Sequence, residues 1–125
     1  MTQTELFELK KNSANIRIKV LKELKWRKYG HLGGALSIVE ILSVLYSKYL
    51  RHDAKNPQWD KRDYLVLSKG HAGPGLYCAL AHAGYFDDEM LYTLNDGGTK
   101  LPSHPDRNLT PGVDMTTGSL GQGTS

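Results

Sequence analysis

The stretch from Tyr64 to Gly75 constrains the fold more than any other in this chain. Tyr64-Leu65-Val66-Leu67 is a short apolar run, partly β-branched or aromatic, bounded by charged residues and by Ser68, and such a run reads as a strand. Its unbroken apolar character argues burial on both faces, as in a parallel sheet. Ser68-Lys69-Gly70-His71-Ala72-Gly73-Pro74-Gly75 follows, and then small apolar residues that predict a helix from about Pro74 to Ala83, closed by Gly84. Strand, glycine loop and helix make half of a βαβ unit. Ligands in open α/β sheets lie beyond the carboxyl ends of the strands, where helix N-termini offer unpaired amides and a positive dipole end. The expected class is therefore α/β, with one clear parallel-type strand whose neighbours lie outside the 125 residues.

The rest of the chain reads as mostly helical. From about Thr4 to Tyr29, Leu6, Leu9, Ile16, Val20 and Leu24 recur at helical spacing, which predicts an amphipathic helix, interrupted near Asn12-Ser13 and ended by Gly30. Gly30 to Gly34 reads as a turn. Ser37 with Glu40 three residues later has the pattern of a capping box, so a second helix is expected from about Ser37 to Arg51. Its apolar residues occupy nearly the whole circumference, which implies a helix sandwiched between other elements, some of them belonging to a partner. Asp53 to Asp63 reads as a loop, and Asp87 to Asn95 as a short helix capped by Asp87 or Asp88.

At 39% hydrophobic and 23% charged residues, the composition is that of a globular protein, and the length admits one domain and no second complete one. Residues 1 to 29 hold eight of the sixteen Lys and Arg against three of the thirteen acids, a bias best explained as a solvated helix face. Neither an aromatic-interleaved basic stripe nor zinc-finger spacing points to nucleic acid, and no apolar run has the length of a membrane span. Cys78 stands alone among apolar neighbours and reads as a buried hydrophobe, compatible with a reduced, cytoplasmic setting.

The five histidines divide into two groups. None has metal-ligand spacing, and His52 and His82, without glycine company, read as structural. His31, His71 and His104 each stand in a loop beside small residues: Gly30-His31-Leu32-Gly33-Gly34, Lys69-Gly70-His71-Ala72-Gly73 and Ser103-His104-Pro105. From a loop an imidazole reaches a ligand more readily than from a core, and near neutral pH it can donate to phosphate or shuttle a proton. Thr116-Thr117-Gly118-Ser119-Leu120-Gly121-Gln122-Gly123 adds a backbone that a non-protein group can approach closely.

Together these three loops and the glycine run resemble the start of a transketolase, in the form split into two subunits, over nearly all of residues 12 to 125; Asn56-Pro57-x-Trp59 fits the same family. The resemblance implies that residues 1 to 125 are the amino-terminal part of one thiamine diphosphate-binding domain. It implies that His71 contacts the cofactor's diphosphate, that Gly118, Ser119 and Leu120 hold the cofactor through main-chain groups, and that His31 and His104 are catalytic residues lining the sugar phosphate channel. The implied reaction moves a two-carbon ketol unit from a ketose phosphate to an aldose phosphate, as in the pentose phosphate pathway. The implied partner is a C-terminal transketolase subunit carrying the glutamate that activates the aminopyrimidine, within a homo- or hetero-oligomer. The family's magnesium ligands, a Gly-Asp-Gly aspartate and a downstream asparagine, are expected beyond Ser125, so no metal ligand is assigned here. Residues 1 to 125 alone are accordingly expected to bind the cofactor weakly, to be inactive, and to self-associate through the second helix. Many members have proline where Leu32 and Ser119 stand. A deoxyxylulose-phosphate synthase shares the Gly-His-Leu-Gly segment, and a non-catalytic helical interaction module is the alternative from another class.

Overall fold

The computed structural model describes residues 1 to 122; Gly123, the last glycine of the terminal run, and Ser125 lie outside the described residues. Four α-helices carry the architecture: α1 (Gln3–Arg27), α2 (Leu32–Leu36), α3 (Val39–Val44), which runs on into a π-helical turn (Leu45–Tyr49), and α4 (Gly73–His82). One-turn and two-turn 3₁₀ segments at Gly70–Ala72 and Asp88–Thr93 flank α4.

α1 begins with a capping box, Glu5 N–H donating to Thr2 Oγ1 at 3.1 Å while Thr2 N–H donates to Glu5 Oε2 at 2.6 Å, which satisfies two amides the first turn leaves unpaired. It runs without interruption past Asn12-Ser13, because Ser13 Oγ donates back to Leu9 O at 3.0 Å and so stays inside the helix. Lys28, at φ +68°, ends it in the left-handed region. Its inner stripe, Leu9, Ile16, Val20 and Leu24, is buried.

The predicted capping box at Ser37 does not form. Ser37 Oγ donates to Gly34 O at 2.9 Å, and the Glu40 carboxylate pairs with Arg17 at 2.6 Å. With both side chains committed elsewhere, residues 32 to 36 close a separate turn of helix and α3 starts only at Val39. α3 packs Val39 and Leu42 into the core but leaves Ile41 exposed, as the π turn leaves Tyr49, so the expected sandwich is only half built among the described residues.

The strand expected at Tyr64–Leu67 is absent from the described residues, where every regular element is helical. A strand is defined by backbone pairing, and no described segment pairs with this one; its recorded tie is Leu65 N–H to Asp114 Oδ2 at 2.9 Å. The segment alternates instead of being buried on both sides: Leu65 and Leu67 pack on the core while Tyr64 and Val66 are 63% and 39% exposed.

α4 lies at the centre. Tyr77, Cys78, Ala79 and Leu80 are buried, and α1, α2 and α3 all pack around them. Small residues make the close approach possible: a Cβ on Gly75 would lie 2.8 Å from Ala35 O. Among the described residues no helix is long and apolar enough to cross a membrane.

Candidate functional site

The chain places its glycine loops at one end of α4. Gly70–Ala72 forms a 3₁₀ turn that leads directly into the helix, so His71 stands at the helix's amino end. Gly34 passes under its ring, where a Cβ would come within 2.9 Å of His71 Cδ2, and the His31 ring lies beside it, centroids 5.3 Å apart and planes inclined at 60°.

The second half of the site comes from residues 103 to 120. A Cβ on Gly70 would lie 2.7 Å from Gly118 Cα and 2.8 Å from Gly118 N, so here two backbones touch and position 70 has no room for a side chain. Gly118 also lies against the His104 ring, which a Cβ there would meet at 3.4 Å. Thr117 N–H donates to Pro105 O at 3.1 Å, tying the glycine run to the His104 loop. His31, His71, Gly70, Gly118 and His104 thus form one continuous line of contacts. Beside it lies an open groove of about 760 Å³ lined by residues including Ser68, His104, Thr117, Gly118 and Ser119.

His104 and His31 are exposed and His71 is half-buried. Gly118 is half-buried, and Ser119 and Leu120 are exposed, with Ser119 but not Leu120 lining the groove. His52 and His82 do not join the site. His52 is held between Tyr46 O (2.9 Å) and Tyr85 Oη (3.1 Å), and His82 Nε2 lies 3.2 Å from Asn12 Oδ1. Burial, and then the Lys19 charge, hold the His82 imidazole below its usual pKa.

Three features of the site escaped the sequence reading. Lys69 Nζ donates to Ser37 Oγ at 2.7 Å, which fastens the loop before His71 to the segment after His31. Asp114 accepts from Arg62 Nε at 3.0 Å and from Leu65 N–H, clamping the start of the glycine run to the extended segment. The Thr117 hydroxyl is buried without a hydrogen-bond partner among the described residues. The first two are pairings across dozens of residues, for which local pattern carries no signal; the adjacency of Lys69 to Gly70-His71 was the one available hint. Among the described residues, no group of three His, Cys, Asp or Glu is placed to hold a metal ion.

Known proteins resemble this chain in sequence and in fold. The family model of the transketolase thiamine diphosphate-binding domain matches residues 9–125. The 6-deoxy-6-sulfo-D-fructose transketolase subunit SqwG of Clostridium sp. (strain MSTE9) is 57% identical over 110 residues, covering 88% of this chain and 40% of that protein. An apulose-4-phosphate transketolase subunit from Actinobacillus succinogenes is 44% identical over 117 residues, covering 93% and 42% respectively. Among solved structures, the transketolase from Leishmania mexicana superposes with a TM-score of 0.86 at 34% identity, over 92% of this chain and 17% of that one. The chain therefore spans about 40% of the length of these two subunit relatives.

Proposed function

The chain belongs to the transketolase thiamine diphosphate-binding family, and on that premise we propose that it serves a two-subunit transketolase moving a two-carbon ketol unit from a ketose phosphate to an aldose phosphate. The observation that carries this reading is the backbone contact of Gly70 with Gly118, which sets His71 on one side of the glycine run and His104 on the other.

The residues present fit the cofactor. Gly118 lines the open groove with no side chain to hold a ligand off, His104 lines it too, and His71 follows the buried Gly70 on which Gly118 packs. His71 would donate to the diphosphate at the head of α4, where the helix dipole adds to the attraction for negative charge. Gly118, Ser119 and Leu120 would hold the cofactor through main-chain groups. When bound, thiamine diphosphate supplies the reactive carbon centre for ketol transfer, and the protein's part is binding and electrostatics. His31 and His104 would donate hydrogen bonds to substrate hydroxyls and hold a proton at the oxygen where charge develops.

A magnesium ion bound to the diphosphate would take its protein ligands from outside residues 1 to 122. A C-terminal transketolase subunit would complete the active site, in a cytoplasmic hetero-oligomer that suits the lone, buried Cys78 thiol. The test is calorimetric titration of thiamine diphosphate with magnesium into the complete subunit pair, followed by a ketol-transfer assay. The donor panel sets ketose phosphates beside 6-deoxy-6-sulfo-fructose, since the 57%-identical relative is named for that sugar. Magnesium-dependent binding and turnover of a ketose phosphate are expected; binding without turnover of any donor would overturn the catalytic reading.

A further inference from the structure

α1 is apolar on two opposite sides. Leu9, Ile16, Val20 and Leu24 face the core, whereas Phe7, Ala14, Ile18 and Leu21, roughly 140° away at about 100° per residue, face outward. Phe7 is 64% exposed, Ile18 48% and Leu21 46%. With α3 this outer stripe forms a groove of about 360 Å³, lined by Ala14, Ile18 and Leu21 and by Lys10, Arg17 and Glu40.

The charge around the groove is one-sided. Lys10, Lys11, Lys22 and Lys25 are exposed on this side of α1, and none is in an ion pair among the described residues. Glu40 is already neutralised by Arg17 at 2.6 Å. The acids of α1 itself, Glu5, Glu8 and Glu23, lie off this face by the same helical spacing. An apolar stripe framed by unpaired lysines is complementary to an apolar stripe framed by carboxylates.

We propose that the outer face of α1, with the groove it forms against α3, docks an acidic amphipathic helix of a partner polypeptide. A second copy of this chain is a poor occupant, because two such faces bring their lysine rows together. A flat anionic membrane is a poorer fit than a helix, because Lys25, one turn beyond Leu21, lies in line with the apolar stripe and would be carried toward the acyl chains. The proposal stands apart from the catalytic reading, since none of its residues belongs to the histidine site.

The test uses the whole chain and a fluorescein-labelled helical peptide of about five turns, leucines on one face and glutamates flanking them. A lysine-flanked counterpart and phosphatidylcholine–phosphatidylserine vesicles are run beside it. Saturable binding of the acidic peptide is expected, weakened about tenfold by the Ile18→Gln, Leu21→Gln double variant and separately by Lys22→Glu with Lys25→Glu. All four positions are exposed, and circular dichroism confirms that the variants fold. Absence of binding, equal binding of the lysine-flanked peptide, unaltered affinity in the variants, vesicle binding in place of peptide binding, or a dimer in sedimentation that the Ile18/Leu21 variant abolishes would each overturn the proposal.

Discussion

The rings of His31 and His71 lie 5.3 Å apart although forty positions separate them in the chain, and Gly34 is what lets them meet: a Cβ there would come within 2.9 Å of the His71 ring. Proximity of two imidazoles need not mean one role. His71 stands on the turn that opens α4, whereas His31 is the exposed residue before α2.

In the complete enzyme, His71→Ala should therefore weaken cofactor binding by about tenfold or more, the loss of one hydrogen bond to a charged group at roughly 1.5–3 kcal/mol. His31→Ala and His104→Ala should leave that affinity unchanged and lower kcat instead. Calorimetric titration with thiamine diphosphate and steady-state kinetics at saturating cofactor separate the two; equal loss of cofactor affinity in all three variants would contradict the division of labour.

Gly70 makes a sharper test of the site's geometry, because the atoms a methyl group would strike belong to backbone. Gly70→Ala should push residues 117 and 118 away from the head of α4, costing about 1–3 kcal/mol of stability as an overpacked contact and weakening cofactor binding as well. Gly33→Ala, where a Cβ meets nothing within 4 Å, is the matched control. Equal urea midpoints and equal cofactor affinities for the two variants would show that the Gly70–Gly118 approach is not needed.

These loops were legible in the sequence for a physical reason: glycine beside histidine is a local signature, and so is the 3.6-residue spacing of Leu9, Ile16, Val20 and Leu24 that placed α1. What failed was whatever depended on distant partners. Ser37 and Glu40 have the spacing of a capping box, yet the donors Lys69 Nζ and Arg17 outcompete the backbone amides for their side-chain oxygens. Tyr64 to Leu67 has strand composition, yet composition cannot supply the neighbouring backbone that a strand requires. The Asp114 clamp was invisible because Asp114 in a glycine-rich run reads as turn chemistry, and only the fold brings Arg62 and Leu65 N–H to it.

That clamp should matter to stability. The Arg62 and Asp114 side chains are 11% and 9% exposed, so removing one leaves the other charge largely buried. Asp114→Ala should cost about 3 kcal/mol, the lower end of the range for breaking a buried pair, and should also free Leu65 N–H. Arg62→Met with Asp114→Leu should recover most of that loss, because both charges then leave together. Urea unfolding of the single and double variants decides it: a double variant as unstable as Asp114→Ala would refute the pairing argument.

Glu23 gives the chain a pH dependence of unusual sign. Its side chain is fully buried between α1 and α4; Cys78 Sγ donates to Oε2 at 3.1 Å, and Oε1 has no partner among the described residues. Burial raises its pKa to about 8, and the thiol hydrogen bond offsets only part of that. The other charged and titratable groups facing this interface are Lys19, paired with Asp88, and His82, held below its usual value, while burial pushes the Cys78 thiol and the Tyr77 hydroxyl above theirs. None of the shifts at Cys78 and His82 brings a titration into the window between neutral pH and 8. Because the folded state keeps a proton that the unfolded chain releases near 4.5, this group's contribution is fully present below that pH and is lost as pH rises through about 8. Glu23's own contribution should fall by up to about 1.4 kcal/mol per pH unit between about 4.5 and 8 and level off above that. Glu23→Gln keeps the shape and removes the proton, so its unfolding free energy should be flatter with pH and should exceed wild type at pH 8. Urea unfolding in steps from pH 6 to pH 9 makes the comparison. Parallel curves for the two proteins would mean that Glu23 is not the group that holds the proton, and that its carboxylate has found a partner which the helix interface does not provide.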